Sequence, residues 1–379
     1  MKSISSKTWL VSFAVLVSGA LLFVLITVIR IDPFMHYHAP DVSRWFYPLD
    51  NERSQNYGIA EFFDYDAVFI GTSMTENTKI SEMDALFGTN AVKLPFNGGY
   101  YKEIGDALCH AYESHPDIRL IIRGIDMNYI FATDEEMAAV TAENPFYLYD
   151  KNPFNDVNYL FNRDVVLKRI PDMIRERRKE GFKPGITSFD RYANWMKGKH
   201  FGEHEVCPDG ISVLRPHEQI PITEEEKEVI RKDVRENIVS IAREHPDTEF
   251  YCFFPPYSAM WWKSRFETGD FERQIEGERI VIEEILECEN IRMYSFNLRT
   301  DITADLNNYR DLWHHGEWIN SVILKDLKAG KGLLTKENYE EYLNREKELY
   351  LNFDYEALNR QEDYEDDAKA AEKWAEYEP

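Results

Sequence analysis

Two short segments far apart in the chain carry residue types that together can do acyl-transfer chemistry. They are Gly71-Thr72-Ser73-Met74-Thr75-Glu76 and Asp311-Leu312-Trp313-His314. A serine hydroxyl is a poor nucleophile at neutral pH until an imidazole takes its proton, and a carboxylate fixes the tautomer of that imidazole. Ser73, His314 and Asp311 supply the three types. The three-residue step from Asp311 to His314 brings the side chains close if this segment turns as a helix does. Ser73 followed by Glu76 also fits a capping box that opens a helix, which is a purely structural use. The run Asp311, His314, His315, Glu317 matches no metal-ligand spacing, and Gly71 to Asn77 lacks a glycine-rich phosphate cradle, so neither metal nor cofactor is expected.

These groups need a frame that brings residue 73 to residue 314. Apolar runs and helical patterns alternate along the chain. Asp66 to Gly71, Ala91 to Phe96, Arg119 to Ile125, Thr248 to Phe254 and Ile291 to Phe296 read as strands. Asn77 to Phe87, Tyr101 to Ser114, Glu224 to Glu244 and Phe271 to Cys288 read as helices between them. This order predicts an α/β fold, a doubly wound, flavodoxin-like parallel sheet of five strands with helices on both faces. Its ligand site lies at the carboxyl ends of the strands. Ser73 follows the first strand, and Asp311 and His314 follow the last. Residues 129–223, rich in aromatics and in Asn-Pro and Lys-Pro turn signals, interrupt the pattern as an insertion or lid. The aromatic run Phe253 to Trp262 follows the fourth strand, where it either lines a pocket or packs beneath the insertion.

Composition bounds the partners. The 379 residues are 44% hydrophobic with a net charge of -24, enough apolar matter for one large core and the wrong charge for nucleic acid. Cys109, Cys207, Cys252 and Cys288 show no Cys-x-x-Cys spacing. Trp9 to Ile29 is a run of 21 residues without a charge, long enough as a helix to cross the roughly 30 Å hydrocarbon layer. Lys2 and Lys7 before it favour a cytoplasmic N-terminus over residues 1–8, with the rest outside the cytoplasm. A cleaved signal peptide is the competing reading of the same segment. A juxtamembrane segment (30–60) then leads to the main domain (61–335), followed by a peripheral helix (336–360). The last segment, 361–379, carries eight acidic against two basic side chains and reads as a disordered tail.

The first block resembles the Gly-Asp-Ser-Leu block of the SGNH/GDSL hydrolases with its trailing Thr-Glu, and Asp311-Leu312-Trp313-His314 resembles their terminal Asp-x-x-His block. The likeness covers roughly residues 61 to 330. It implies Ser73 as nucleophile, His314 as base and Asp311 as its orienting partner. It also implies an oxyanion hole completed by a Gly after the second strand and an Asn after the third. Asn97-Gly98-Gly99 fits the first position, with Gly98 favoured. At the third block, Arg123-Gly124-Ile125-Asp126-Met127-Asn128 places Asp126 where the family has its Asn, so Asn128 or Asn97 must supply the donor, or the site is weakened. Thr72 stands where the family has Asp. With the anchor, the resemblance implies an extracytoplasmic esterase or O-acyltransferase acting on acylated envelope glycans or polymers. The alternative is a catalytically degenerate binding or assembly protein partnering a membrane acyltransferase.

Overall fold

A computed structural model describes residues 5–133, 136–137, 144–360 and 368–379. The chain divides into two units, one of Met1–Phe63 with Glu143–Ser188 and one of Asp64–Ala142 with Phe189–Pro379. Of the segment expected as an insertion, 143–188 fall in the first unit, and 129–142 and 189–223 in the second.

Eight strands occur among the described residues: β1 (Phe46–Tyr47), β2 (Ala67–Gly71), β3 (Ala91–Pro95), β4 (Leu120–Gly124), β5 (Gly185–Ile186), β6 (Glu249–Phe254), β7 (Ile291–Ser295) and β8 (Leu333–Leu334).

The first unit begins with α1 (Ser6–Ile31), a helix long and apolar enough to cross a membrane, with a mean hydropathy of 2.6 and almost no buried surface. Of the segment read as its cytoplasmic leader, residues 1–4 lie outside the described residues. Ser5 caps its start by accepting from the Thr8 amide at 3.2 Å. Past its end, buried Asp32 gathers the backbone N–H groups of His36, Tyr37 and His38 and the Tyr159 hydroxyl, the last at 2.6 Å. Burial pushes the Asp32 carboxyl up, although these donors oppose it. β1 and β5 pair in parallel in this unit, and α2 (Glu52–Phe62) follows β1.

The second unit is built on a sheet of order β3-β2-β4-β6-β7-β8. Five strands are parallel and nearly continuous in apolar burial, as expected of strands covered on both faces. The expected count of five and all-parallel character are corrected by β8, which adds antiparallel to β7. Two residues in Gly332-Leu333-Leu334 are too few for a period to show. On one side, α3 (Ile80–Phe87) packs with the helix Glu317–Ala329. Elsewhere α4 (Tyr101–Ser114) packs with the helical run Glu224–Glu244, which in turn packs with Phe271–Leu286. Thr223 and Glu226 form the capping box that opens Glu224–Val234. Two buried carboxyls, Glu278 and Glu346, lie near each other around Asn297.

Two segments form helices that no sequence pattern marks. The aromatic run after β6 turns into a helix, Ala259–Thr268, capped by Ser258, with Trp261 and Trp262 buried. Residues 361–367 lie outside the described residues, but 368–375 of the expected disordered tail form a helix. Its Trp374 is buried and donates from Nε1 to Asn308 Oδ1 at 3.0 Å, and the Tyr377 hydroxyl donates to Asp326 at 2.6 Å. Two aromatic anchors thus dock a segment whose charge alone argues for solvent.

Candidate active site

The site lies wholly within the second unit. β2 ends at Gly71, and the chain turns at once through Thr72 into a short 3-10 turn, Ser73–Thr75. The turn sits tightly on the sheet. A Cβ on Gly71 would meet the Thr75 methyl at 2.5 Å, and one on Gly124, at the end of neighbouring β4, would meet it at 2.8 Å. Both glycines therefore make room for Thr75, whose hydroxyl closes the turn onto the Thr72 carbonyl at 2.7 Å. Lys93, buried in β3, donates from Nζ to the carbonyls of Glu76 at 2.5 Å and Thr78 at 3.1 Å, fixing the exit of the same loop. Ser73 is left half-buried at the carboxyl end of the sheet.

The second segment is a loop pinched by a bridge between Tyr309 and His315 and by the Arg310 amide donating to the His314 carbonyl at 2.9 Å. Ser258 holds its tip from the other side, with both its amide and its hydroxyl donating to the Leu312 carbonyl, the hydroxyl at 2.6 Å. Within the loop, Asp311 Oδ1 accepts from the amides of Trp313 at 3.1 Å and His314 at 2.8 Å, while Oδ2 lies 2.8 Å from His314 Nδ1. His314 Nε2 is 2.8 Å from Ser73 Oγ. The network assigns the proton on Nδ1 to the bond with Asp311, leaving Nε2 as acceptor for the serine. Burial pushes the Asp311 carboxyl up, but the His314 ring and the two amides outweigh it and hold it below the ordinary range. The structure thus brings together Ser73, His314 and Asp311 from positions 241 and three residues apart.

His315 takes no part in this arrangement. It is buried with its ring edge toward Tyr309, and desolvation pushes its pKa down to about 4, so it stays neutral. Glu317 accepts from Asn194 at 2.9 Å and pairs with Lys79 at 3.2 Å. Among the described residues no three His, Cys, Asp or Glu side chains gather as a metal site.

Asp126 is nearly buried and turned into three donors. Thr72 Oγ1 reaches Oδ2 at 2.6 Å, and the Tyr257 hydroxyl and the Asn128 amide, the latter at 3.0 Å, reach Oδ1. It caps the 3-10 turn Met127–Tyr129. Burial raises its pKa, and the three donors oppose that rise. Asn128 is exposed, with Nδ2 donating to the Tyr257 hydroxyl at 3.2 Å and Oδ1 accepting from Trp261 Nε1 at 3.2 Å. One Nδ2 hydrogen of Asn128 is left for another acceptor, since an amide nitrogen carries two. Gly98 sits in the turn after β3 at φ +62, a left-handed position that favours glycine, with Asn97 exposed beside it. Among the described residues neither the Ser73 nor the Gly98 amide donates to another atom.

Three contributors escape sequence reasoning. The Ser73 amide carries no side-chain signal. Trp195, from the irregular segment after residue 188, sets its ring edge-on to His314 at 5.5 Å, and the Asn77 side chain holds it by accepting from the Trp195 amide at 3.1 Å. Ser258, which caps Ala259–Thr268 and clamps the Leu312 carbonyl, lies in an aromatic run whose pattern marks no role for a hydroxyl.

No family model and no curated protein matches the chain. A solved structure provisionally described as a platelet activating factor from Streptococcus pneumonia is similar at 12% identity and a TM-score of 0.39, over 73% of this chain and 90% of that one.

Proposed function

We propose that this chain is a serine esterase or O-acyltransferase of the SGNH type, held at the membrane by α1 with its second unit outside the cytoplasm. Acylated envelope glycans or polymers are its substrate class. The observation that carries the chemistry is the continuous relay from Ser73 Oγ through His314 to Asp311, each contact at 2.8 Å. Ser73 Oγ attacks the ester carbonyl carbon while its proton passes to His314 Nε2, and Asp311 steadies the imidazolium that forms. The oxyanion is received by the Ser73 and Gly98 amides and by an Asn side chain, Asn128 or Asn97. The imidazolium returns its proton to the leaving alcohol. Water or a sugar hydroxyl then attacks the acyl carbon while giving up a proton to His314, and the imidazolium returns that proton to Ser73 Oγ as the acyl–serine bond breaks, completing hydrolysis or transfer.

The binding-protein alternative draws on Asp126. With Asp126 engaged by Thr72, Tyr257 and the Asn128 amide, its carboxylate is occupied without the oxyanion, which favours the enzyme reading. Release of nitrophenol from a short-chain nitrophenyl ester by the full-length protein in detergent tests it. Activity is expected for the wild type, with a loss of about 10⁴-fold or more in kcat for Ser73→Ala. Equal, low rates for the two would leave the protein without the proposed chemistry.

A further inference from the structure

The first unit has a second apolar surface besides α1. Phe154 is 88% exposed and Leu167 68%, with Val157 and Phe161 also exposed. These residues lie on and beside the short helix Val157–Leu160 and the π-helical turn Val165–Arg169, both of which contact α1. The contact is at the end of α1, where Val24, Val28 and Ile31 form one cluster with Leu160, Val165 and Val166.

The position matters because α1 is longer than a bilayer requires. Its 26 residues extend about 39 Å against a hydrocarbon layer of roughly 30 Å. The excess leaves the last turns of α1 at the interface, and the exposed apolar residues beside them share that depth. Charge points the same way. Residues 163–183 carry eight basic against four acidic side chains, in a chain whose net charge is -24. Arg163, Lys168, Arg178 and Lys183 are exposed. Aromatic and aliphatic side chains flanked by exposed Lys and Arg are the composition of an interfacial anchor on an anionic bilayer.

We infer that residues 154–183 form a membrane-docking surface, in which Phe154, Val157, Phe161 and Leu167 enter the interface of an anionic lipid bilayer and the neighbouring basic side chains meet its head groups. The inference rests on the reading that α1 spans the membrane. It gives the first unit two attachments, one spanning and one lying on the surface, so that this unit is held in a fixed orientation to the bilayer instead of swinging on a single helix.

Site-directed fluorescence tests this on the full-length chain in vesicles of phosphatidylcholine, alone or with phosphatidylglycerol. In a Cys109→Ser, Cys207→Ser background, an environment-sensitive probe is attached at Phe154→Cys or Phe161→Cys, with Leu16→Cys as the membrane reference and Leu351→Cys as the aqueous one. Lipids with a shallow nitroxide quencher should extinguish the probes at 154 and 161 in the anionic vesicles and spare the one at 351. Lys168→Glu or Arg178→Glu should each lower the docked-to-undocked ratio by at least about five-fold. Lipid-accessible 16 with unquenched 154 and 161 overturns the docking surface while the anchor stands; an unquenched 16 overturns the anchor itself. Equal quenching in both vesicles overturns the requirement for anionic lipid.

Discussion

Thr72 donates its hydroxyl to the buried carboxylate of Asp126 at 2.6 Å. Asp126, just past the end of β4, meets a donor just past the end of β2, the neighbouring strand in the sheet. The turn carrying Ser73 is thereby tied to the turn carrying Asn128.

The pair should be energetically coupled. Thr72→Val leaves one Asp126 oxygen buried without its donor, at a cost of about 1–3 kcal/mol, and Asp126→Asn removes the charge that needs it. A double-mutant cycle by denaturant unfolding should give a coupling of at least about 1 kcal/mol. Additive effects would show that the bond is incidental.

Asp311 orients His314, so Asp311→Asn should lower kcat by about 10³ to 10⁴-fold with little change in KM, because the altered group no longer accepts the Nδ1 proton. Steady-state kinetics on a nitrophenyl ester reads this. A loss confined to KM would mean that Asp311 serves binding.

Glu278 and Glu346 are buried together: desolvation pushes the Glu278 carboxyl up to about 8 against its bonds to Gln274 and Asn297, and desolvation followed by repulsion from Glu278 holds Glu346 well above the ordinary 4.5. A carboxyl whose pKa rises on folding keeps a proton that the unfolded chain releases, so stability should fall as pH climbs above 4.5. Glu278→Gln should flatten this decline, as read by thermal unfolding across pH. An unchanged slope would mean that the pair does not hold its proton in the folded state.

The C-terminal helix braces the histidine loop from behind. Trp374 and Trp318 both donate to Asn308 Oδ1, and the Asn308 carbonyl accepts from the Gly316 amide just past His314. Trp374→Ala should cost about 3–5 kcal/mol if the segment stays in place around the cavity. A melting temperature unchanged from wild type would show that the tail is not part of the fold.

Sequence patterning located the five parallel strands because each is a short apolar run between helical periods, and it located Ser73, Asp311 and His314 because their types and their order relative to the strands are informative together. It could not resolve β8, whose two residues have no period, or the docking of Trp374, since the surrounding acidic residues dominate any composition measure. Asp126 reads in the sequence as a helix cap or a loop bond, and it does cap Met127–Tyr129. Its partners Thr72 and Tyr257, which come from two other strand ends, carry no signal in the sequence. Trp195 lies in irregular chain, where no period predicts which side chain will reach His314.

The proposed chemistry depends on Ser73 acting as a nucleophile activated by His314. Intact-mass analysis of the full-length protein after treatment with a small serine-directed phosphonate tests it most directly, with Ser73→Ala and His314→Ala alongside the wild type. One adduct is expected on the wild type, mapped to Ser73 and absent from both variants. A folded wild-type protein that takes no adduct, or one that His314→Ala leaves undiminished, would contradict it.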